Sequence, residues 1–105
     1  MKAGKMVHVI EIQRVTTTVN DAGTPTETWA KVATMRAELV ERSTEEFLRT
    51  AGETSETTIV FRTRFLDGVS DNDRVSFDGN AFDIDEIVTI GRRKGLELRC
   101  RRQEP

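Results

Sequence analysis

Two residues in this sequence belong to the types that most often carry nucleophilic or acid–base chemistry. His8 is the only histidine and Cys100 the only cysteine. A catalytic triad would have to use His8, which lies near the start of the chain and suits a strand surface better. Cys100 alternates with arginines in an apolar pattern, so we expect it to face a core as a small hydrophobic group. The sequence therefore predicts no catalytic residues and no enzyme.

Acidic residues between Asp67 and Glu86 raise the question of a metal site. A calcium loop needs oxygen ligands at alternating positions, a central glycine and a bidentate glutamate. The run Asp71-Asn72-Asp73 is too short and leads at once into a strand pattern, so turn formation explains it. One histidine and one cysteine cannot supply a zinc site of the usual type. We expect no metal and no cofactor.

A basic cluster lies near the end of the sequence and consists of Arg92, Arg93, Lys94, Arg99, Arg101 and Arg102. Such a patch can contact DNA phosphates without reading sequence, although charged residues also protect hairpin tips and edge strands from aggregation. No aromatic residues interleave with them as a stacking platform, and the net charge of −2 gives no global case for nucleic-acid binding. The candidate contacts to another subunit or to DNA are Arg62, Arg64, Arg92, Arg93 and Lys94.

Length and composition indicate one small domain. The 105 residues fit a single domain over 1–105, with loose termini at 1–6 and 103–105. Hydrophobic residues make up 36% and charged residues 32%, which indicates either a thin core with a large solvated surface or a protomer that gains stability from partners. A lone cysteine excludes an internal disulfide and indicates a reducing compartment. No apolar run is long enough for a membrane helix, so we expect no membrane partner.

Alternation with a period of two predicts strands along most of the chain. The predicted strands are 7–18, 27–32, 35–42, 59–65, 74–77, 81–88 and 96–101. They predict a mainly β fold, a small antiparallel β-barrel or sandwich of six to seven strands with one short helix. The expected core anchors are Trp29, Phe61, Phe77, Phe82, Ile84 and Leu98.

The helix is predicted where the period changes. Ser43 followed three residues later by Glu46 has the form of a capping box, which satisfies two backbone donors at a helix start. Gly52 can supply the left-handed stop. These signals predict a helix of about two turns over 43–52.

The order of these features resembles the head-tail joining protein family of tailed bacteriophages, in its head-closure or stopper group. The resemblance covers about residues 10–102, and its most specific pieces are Asp73-Arg74-Val75, 78–84 and 92–100. It departs from the family pattern at Ala81, where a larger or charged residue is common, and in lacking a glycine before Glu46.

This resemblance implies a structural connector that forms a homo-oligomeric ring between the portal or adaptor protein and the tail. The ring would help to close the DNA channel, attach the tail and contact packaged DNA. Localisation would be the host cytoplasm during assembly and then the virion head-tail junction.

By the same resemblance, the polar segment 43–57 is a candidate gate, although a helix capping one end of the barrel is an equal alternative. The candidate gate or partner residues are Ser43, Glu46, Phe47, Leu48, Glu53 and Glu56. Two other functions stay open from the sequence: a tail terminator or other minor tail component, and, less favoured, a nucleic-acid-binding β-barrel.

Overall fold

Six strands account for most of the chain that the computed structural model describes. The backbone is described over 3–49 and 52–104, and the side chains over 4–45 and 55–102. After a 3₁₀ turn at Ala3–Lys5, the strands are β1 His8–Val19, β2 Pro25–Arg49, β3 Gly52–Arg64, β4 Arg74–Phe77, β5 Asn80–Ile90 and β6 Gly95–Glu104. Their order is β1-β2-β3-β6-β5-β4, and β4 pairs back onto β1, so one antiparallel sheet closes on itself. The predicted mainly β fold is confirmed.

The inward-facing residues of each strand form one core, as the alternation predicts. Phe61 and Leu98 are fully buried, and Phe82 and Ile84 nearly so. Phe77 packs against this cluster and meets Phe61 edge to face, with the ring centroids 5.1 Å apart. Burying these side chains supplies the main stabilising free energy of such a small sheet.

Trp29 is not a core anchor, contrary to the expectation from its size. It lies opposite Val15 in the β1–β2 ladder and is only half-buried. Ile12 pairs with Ala33, whereas Gln13 pairs with Lys31, so Val32 is an extra residue that forms a β-bulge in β2. Because of this extra residue, the side chain of Trp29 lies on the opposite face of the sheet from the core. Hydrophobicity alone does not reveal such a shift.

The two strands predicted over 27–32 and 35–42 are one strand. Nothing between them is a turn-forming residue, and the bulge at Val32 bends β2 without ending it. A second register shift lies between Leu39 and Glu41, so Val40 is the extra residue there. The count is therefore six strands.

The predicted helix over 43–52 is wrong, because β2 continues to Arg49 and pairs with β3. Ser43 lies opposite Thr58, and the ladder runs on until Arg49 lies opposite Gly52. A capping box satisfies two donors at one helix end and contributes about 1 kcal/mol. The hairpin instead pairs successive backbone groups, and adds a hydroxyl bond of 3.1 Å between Thr44 and Thr57. Residues 50 and 51 lie outside the described range.

The Asp-Gly hairpin signal is correct. Phe77 pairs with Asn80, which leaves Asp78 and Gly79 as a two-residue loop with φ of 53° and 80°. Positive φ at both positions defines the turn type that matches strand twist. At the N-terminus, Met6 lies in the segment expected to be loose and is only 4% exposed. None of the helical segments in the described ranges is long and apolar enough to cross a membrane.

Two β hairpins project from the closed sheet, and we call them the first arm (14–31) and the second arm (42–59). The pairing of β1 with β4 stops at Gln13, so the first arm consists of β1 and β2 alone. The second arm consists of β2 and β3, with β6 joining at Ser55. The radius of gyration is 15.7 Å, against about 13 Å for a compact domain of this length.

Candidate subunit and DNA-binding surfaces

The first arm is exposed on both faces. Every residue from Thr16 to Thr28 is exposed, and the two strands meet through a hydroxyl bond of 2.8 Å between those two threonines. At the tip, the Asn20 side-chain oxygen accepts hydrogen bonds from the backbone of Ala22 and Thr24. A two-stranded hairpin without an apolar face is marginally stable by itself. The arm is therefore a suitable element for a partner to cover.

An arginine stacks on a tryptophan at the base of the first arm. The guanidinium of Arg74 lies 4.1 Å from the ring centre of Trp29, and its Nε donates to the side-chain oxygen of Gln13 at 2.7 Å. Tryptophan and arginine are enriched among residues that dominate protein–protein binding energy. This outward-facing pair is a candidate contact that the sequence did not reveal, because Trp29 was expected in the core.

A buried carboxylate joins the loop before β4 to the base of the same arm. Asp73 is only 2% exposed. Its carboxylate accepts two hydrogen bonds from the guanidinium of Arg14, from Nε to Oδ1 at 2.9 Å and from Nη2 to Oδ2 at 3.0 Å. Asp73 also accepts the backbone N–H of Ser70, and Arg14 donates to the carbonyl of Gly68. The hydrogen bond from Arg14 holds the pKa of Asp73 below its usual value, although burial opposes this. We call these contacts the Asp73 clamp.

Alternating charges form a ladder on the outer face of β3, β6 and β5. Arg62 pairs with Glu97 at 3.1 Å, Glu97 with Arg99 at 2.8 Å, and Arg99 with Glu86 at 2.9 Å. Hydrogen bonds from Arg99 and then Arg62 lower the pKa of Glu97. Arg62, a candidate intersubunit contact, is thus held within its own chain, and this face is not uniformly basic.

The remaining basic candidates gather at one end of the sheet. Arg64 pairs with Gly95, which places it beside the turn that carries Arg92, Arg93 and Lys94. Arg93 has a positive φ of 56° and its guanidinium lies 5.6 Å from the ring centre of Phe65. Within the described side chains, no carboxylate pairs with these four cations. They offer exposed positive charge at this end of the sheet.

The candidate gate residues all fall on the second arm. Ser43 is exposed and Glu56 is half-buried. The backbones of four other candidates pair in the β2–β3 ladder, whereas the side chains of these four lie outside the described ones: Glu46, Phe47, Leu48 and Glu53. The segment is therefore a projecting hairpin rather than a loop or a helix.

Cys100 and His8, whose residue types suggested catalysis, both pack against other parts of the fold. Cys100 is fully buried, and burial, with a smaller contribution from Asp85 and Asp83, raises the pKa of its thiol to about 12. His8 is half-buried and meets Phe77 edge to face at 5.6 Å. In the described part of the chain, no three His, Cys, Asp or Glu residues are grouped to hold a metal ion.

The described residues form a closed β sheet from which two hairpins project, with an exposed basic turn at one end. The model of the phage head completion protein family matches residues 1–104, and the chain belongs to this family. The resemblance found in the sequence is thereby confirmed, and the protein is a structural component of the phage head and tail assembly.

Two solved structures share the fold. One comes from the virion of a native gene transfer agent particle, with 14% identity, 91% of this chain and 93% of that chain covered, and a TM-score of 0.71. The other is the solution structure of protein SF1141 from Shigella flexneri 2a, with 20% identity, 96% of both chains covered and a TM-score of 0.65. No curated protein matches the chain.

Proposed function

We propose that this protein forms a homo-oligomeric ring between the portal or adaptor protein and the tail, helps to close the DNA channel, and attaches the tail. Family membership supports a structural role in the particle. The observation that carries the ring is the pairing of β2. Its first half pairs only with β1 and its second half only with β3, so each half leaves one backbone edge open, on opposite sides of the strand.

Two different open edges suit a cyclic ring. Head-to-tail assembly needs two distinct complementary patches on each protomer, and the arms supply one at each end of β2. An open edge invites pairing with another chain unless lysines, prolines or bulges protect it. The first arm carries no lysine or arginine between Thr16 and Thr28, and its one proline stands at the start of β2. This weak protection supports a partner strand on the arm.

Lysines placed on the first arm are expected to block the ring while leaving the fold intact. The variant Thr17→Lys/Val19→Lys changes two exposed residues, and Val19 is 69% exposed. Surface changes of this kind alter stability by about 0.5 kcal/mol or less, so the melting temperature should move by no more than about 4 °C. Tailed particles should fall at least about tenfold, since 1.4 kcal/mol of lost contact is a factor of ten. Electron microscopy and titre measure this result.

The matched control is Ala81→Lys/Thr89→Lys, which adds the same charge to two exposed positions of β5. Normal tailing by this control and loss of tailing by the arm variant supports the ring. Normal tailing by both variants, or the chain located on the tail tube away from the portal, contradicts it.

We further propose that the basic turn faces packaged DNA. Arg92 and Lys94 are exposed and free of carboxylate partners within the described residues, which suits contact with phosphates. The variant Arg92→Glu/Lys94→Glu should therefore release DNA from filled heads, measured as nuclease-sensitive DNA. Loss from unmodified heads should also rise between 50 and 200 mM salt, because salt weakens phosphate contacts.

The control for the turn keeps both charges. Arg92→Lys/Lys94→Arg should retain DNA as the unmodified protein does. Equal leakage from both variants would show that side-chain shape matters rather than charge, and equal retention by both would place the turn away from DNA.

A further inference from the structure

A pocket of about 300 Å³ opens beside the middle of β2. Its lining residues are Met6, Thr34, Met35, Arg36 and Arg64. Neighbouring strand residues point to opposite faces of a sheet, so a pocket lined by three consecutive residues of β2 lies along the edge of that strand. No described strand pairs with this edge, because β3 pairs with β2 only from Ala37 onward. The pocket therefore lies where a further strand has room to pair with β2.

Two arginines flank the last β2–β3 pair at the rim of the pocket. This pair consists of Ala37 and Thr63, which are both fully buried. Arg36 precedes it and Arg64 follows it, so both arginines point to the outer face of the sheet, where both are exposed. Of the side chains that the structure describes, no carboxylate forms an ion pair with either arginine. Like charges that lie opposite each other destabilise a sheet, and a carboxylate between these two would remove the repulsion.

The inner side of the pocket is apolar. Met6 is 4% exposed, and Met35 is half-buried and packs against the core. Methionine side chains adapt to neighbours of different shape. A strand paired with this edge would point alternate side chains outward, to the arginines, and inward, to the methionines. The pattern that fits is therefore one apolar residue between two acidic residues.

We propose that the pocket binds an extended acidic segment of a different virion protein, added as a strand to the edge of β2. Strand addition gains affinity from main-chain hydrogen bonds and specificity from pockets for alternate side chains, and arginines bind carboxylates with paired hydrogen bonds. In the whole sequence only Ile84 stands between two acidic residues, and it is 4% exposed in the core. This chain therefore does not supply the segment itself. One protomer carries the whole pocket, so the proposal does not depend on the ring.

Titration of the purified protein with a peptide tests the pocket. The probe is acetyl-TTELETT-amide, whose two glutamates share one face of an extended chain while the leucine takes the other. At 150 mM salt, where charges more than about 8 Å apart are screened, it should shift the backbone amide NMR signals of Thr34, Met35, Arg36 and Arg64. Acetyl-TTQLQTT-amide lacks the charges and acetyl-TTEELTT-amide lacks the alternation, so each should bind at least about tenfold more weakly.

Charge reversal separates a specific contact from general attraction. The variant Arg36→Glu/Arg64→Glu should bind the probe at least about tenfold more weakly and bind acetyl-TTKLKTT-amide instead, which also shows that the variant is folded. The matched control Lys31→Glu/Arg42→Glu makes the same charge change at two exposed positions of β2 outside the pocket, and should bind the probe as the unmodified protein does. Equal loss in both variants, equal binding of all three peptides, or no shift at the pocket overturns the proposal.

Photo-crosslinking in assembled particles identifies the occupant. A benzophenone side chain at position 34 should join the chain to a different virion protein, at a segment in which an apolar residue stands between two acidic ones. A product with another copy of this chain, a product at a segment without that pattern, or no product overturns the proposal. Because the peptide titration uses the isolated protein, its result stands apart from the outcome for the ring.

Discussion

Replacing Asp73 with alanine is expected to lower the free energy of unfolding by about 3 kcal/mol. The change removes a nearly fully buried carboxylate that accepts two hydrogen bonds from Arg14 and one from the backbone of Ser70. Hydrogen bonds to charged groups contribute about 1.5–3 kcal/mol each, and the Ser70 N–H would lose its acceptor. Because small domains have about 5–15 kcal/mol in total, this loss is large. Urea unfolding measures it as a lower midpoint with an unchanged slope.

Asp73→Asn is the matched control, because the amide keeps one acceptor but loses the charge. Asp73→Asn should lower the free energy of unfolding by less than Asp73→Ala does, and it should leave the structure at the far ends of both arms unchanged. Equal midpoints for the alanine variant and the unmodified protein would show that the Asp73 clamp does not stabilise the fold.

Acid provides a second measurement on the same carboxylate. The pKa of Asp73 is lower in the folded protein than in the unfolded chain, so the unfolded chain binds a proton first as pH falls. The stabilisation is fully present above the unfolded pKa of about 3.9 and is lost as pH falls through the lower, folded value. Stability of the unmodified protein should therefore fall more steeply below about pH 5 than that of Asp73→Asn.

Much of the closed sheet could be predicted from sequence because each strand has one buried face. Ile10 and Ile12, Phe61, and Leu98 and Cys100 fall on the core side as alternation requires. The turn at Asp78-Gly79 could also be predicted from the sequence, because few residue pairs accept two positive φ angles. Local chemistry decides these features, so a local pattern reveals them.

The arms and the candidate contacts were less predictable because tertiary pairing decides them. The capping-box sequence at Ser43 favours a helix locally, but pairing of β2 with β3 overrides it. A single bulge at Val32 moves Trp29 to the outside, where Arg74 covers it. The Asp73 clamp joins β1 to a loop far along the chain, and an arginine in a strand and an aspartate in a distant turn give no sign in the sequence that they will meet.

The largest expected effect concerns the thiol of Cys100, which should be almost unreactive in the folded protein. Burial raises its pKa to about 12, so at pH 8 the thiolate fraction is about 10⁻⁴, against about 0.2 for an ordinary cysteine of pKa 8.5. Because the thiolate is the nucleophile, reaction with a disulfide reagent should be about a thousandfold slower than in the unfolded chain. Absorbance of the released reagent, with and without guanidinium, measures the difference.

Alkali extends this prediction to stability. The unfolded chain releases the Cys100 proton at a lower pH than the folded protein does, so stability attributable to the neutral thiol is lost as pH rises above about 9 toward 12. The variant Cys100→Ala has no thiol to ionise, so its stability should fall less over this range, from a lower starting value because the cavity costs core packing. Rapid labelling of the folded protein at pH 8 would contradict the burial of this residue. Slow labelling that becomes fast in guanidinium supports the full burial of Cys100 in the folded protein.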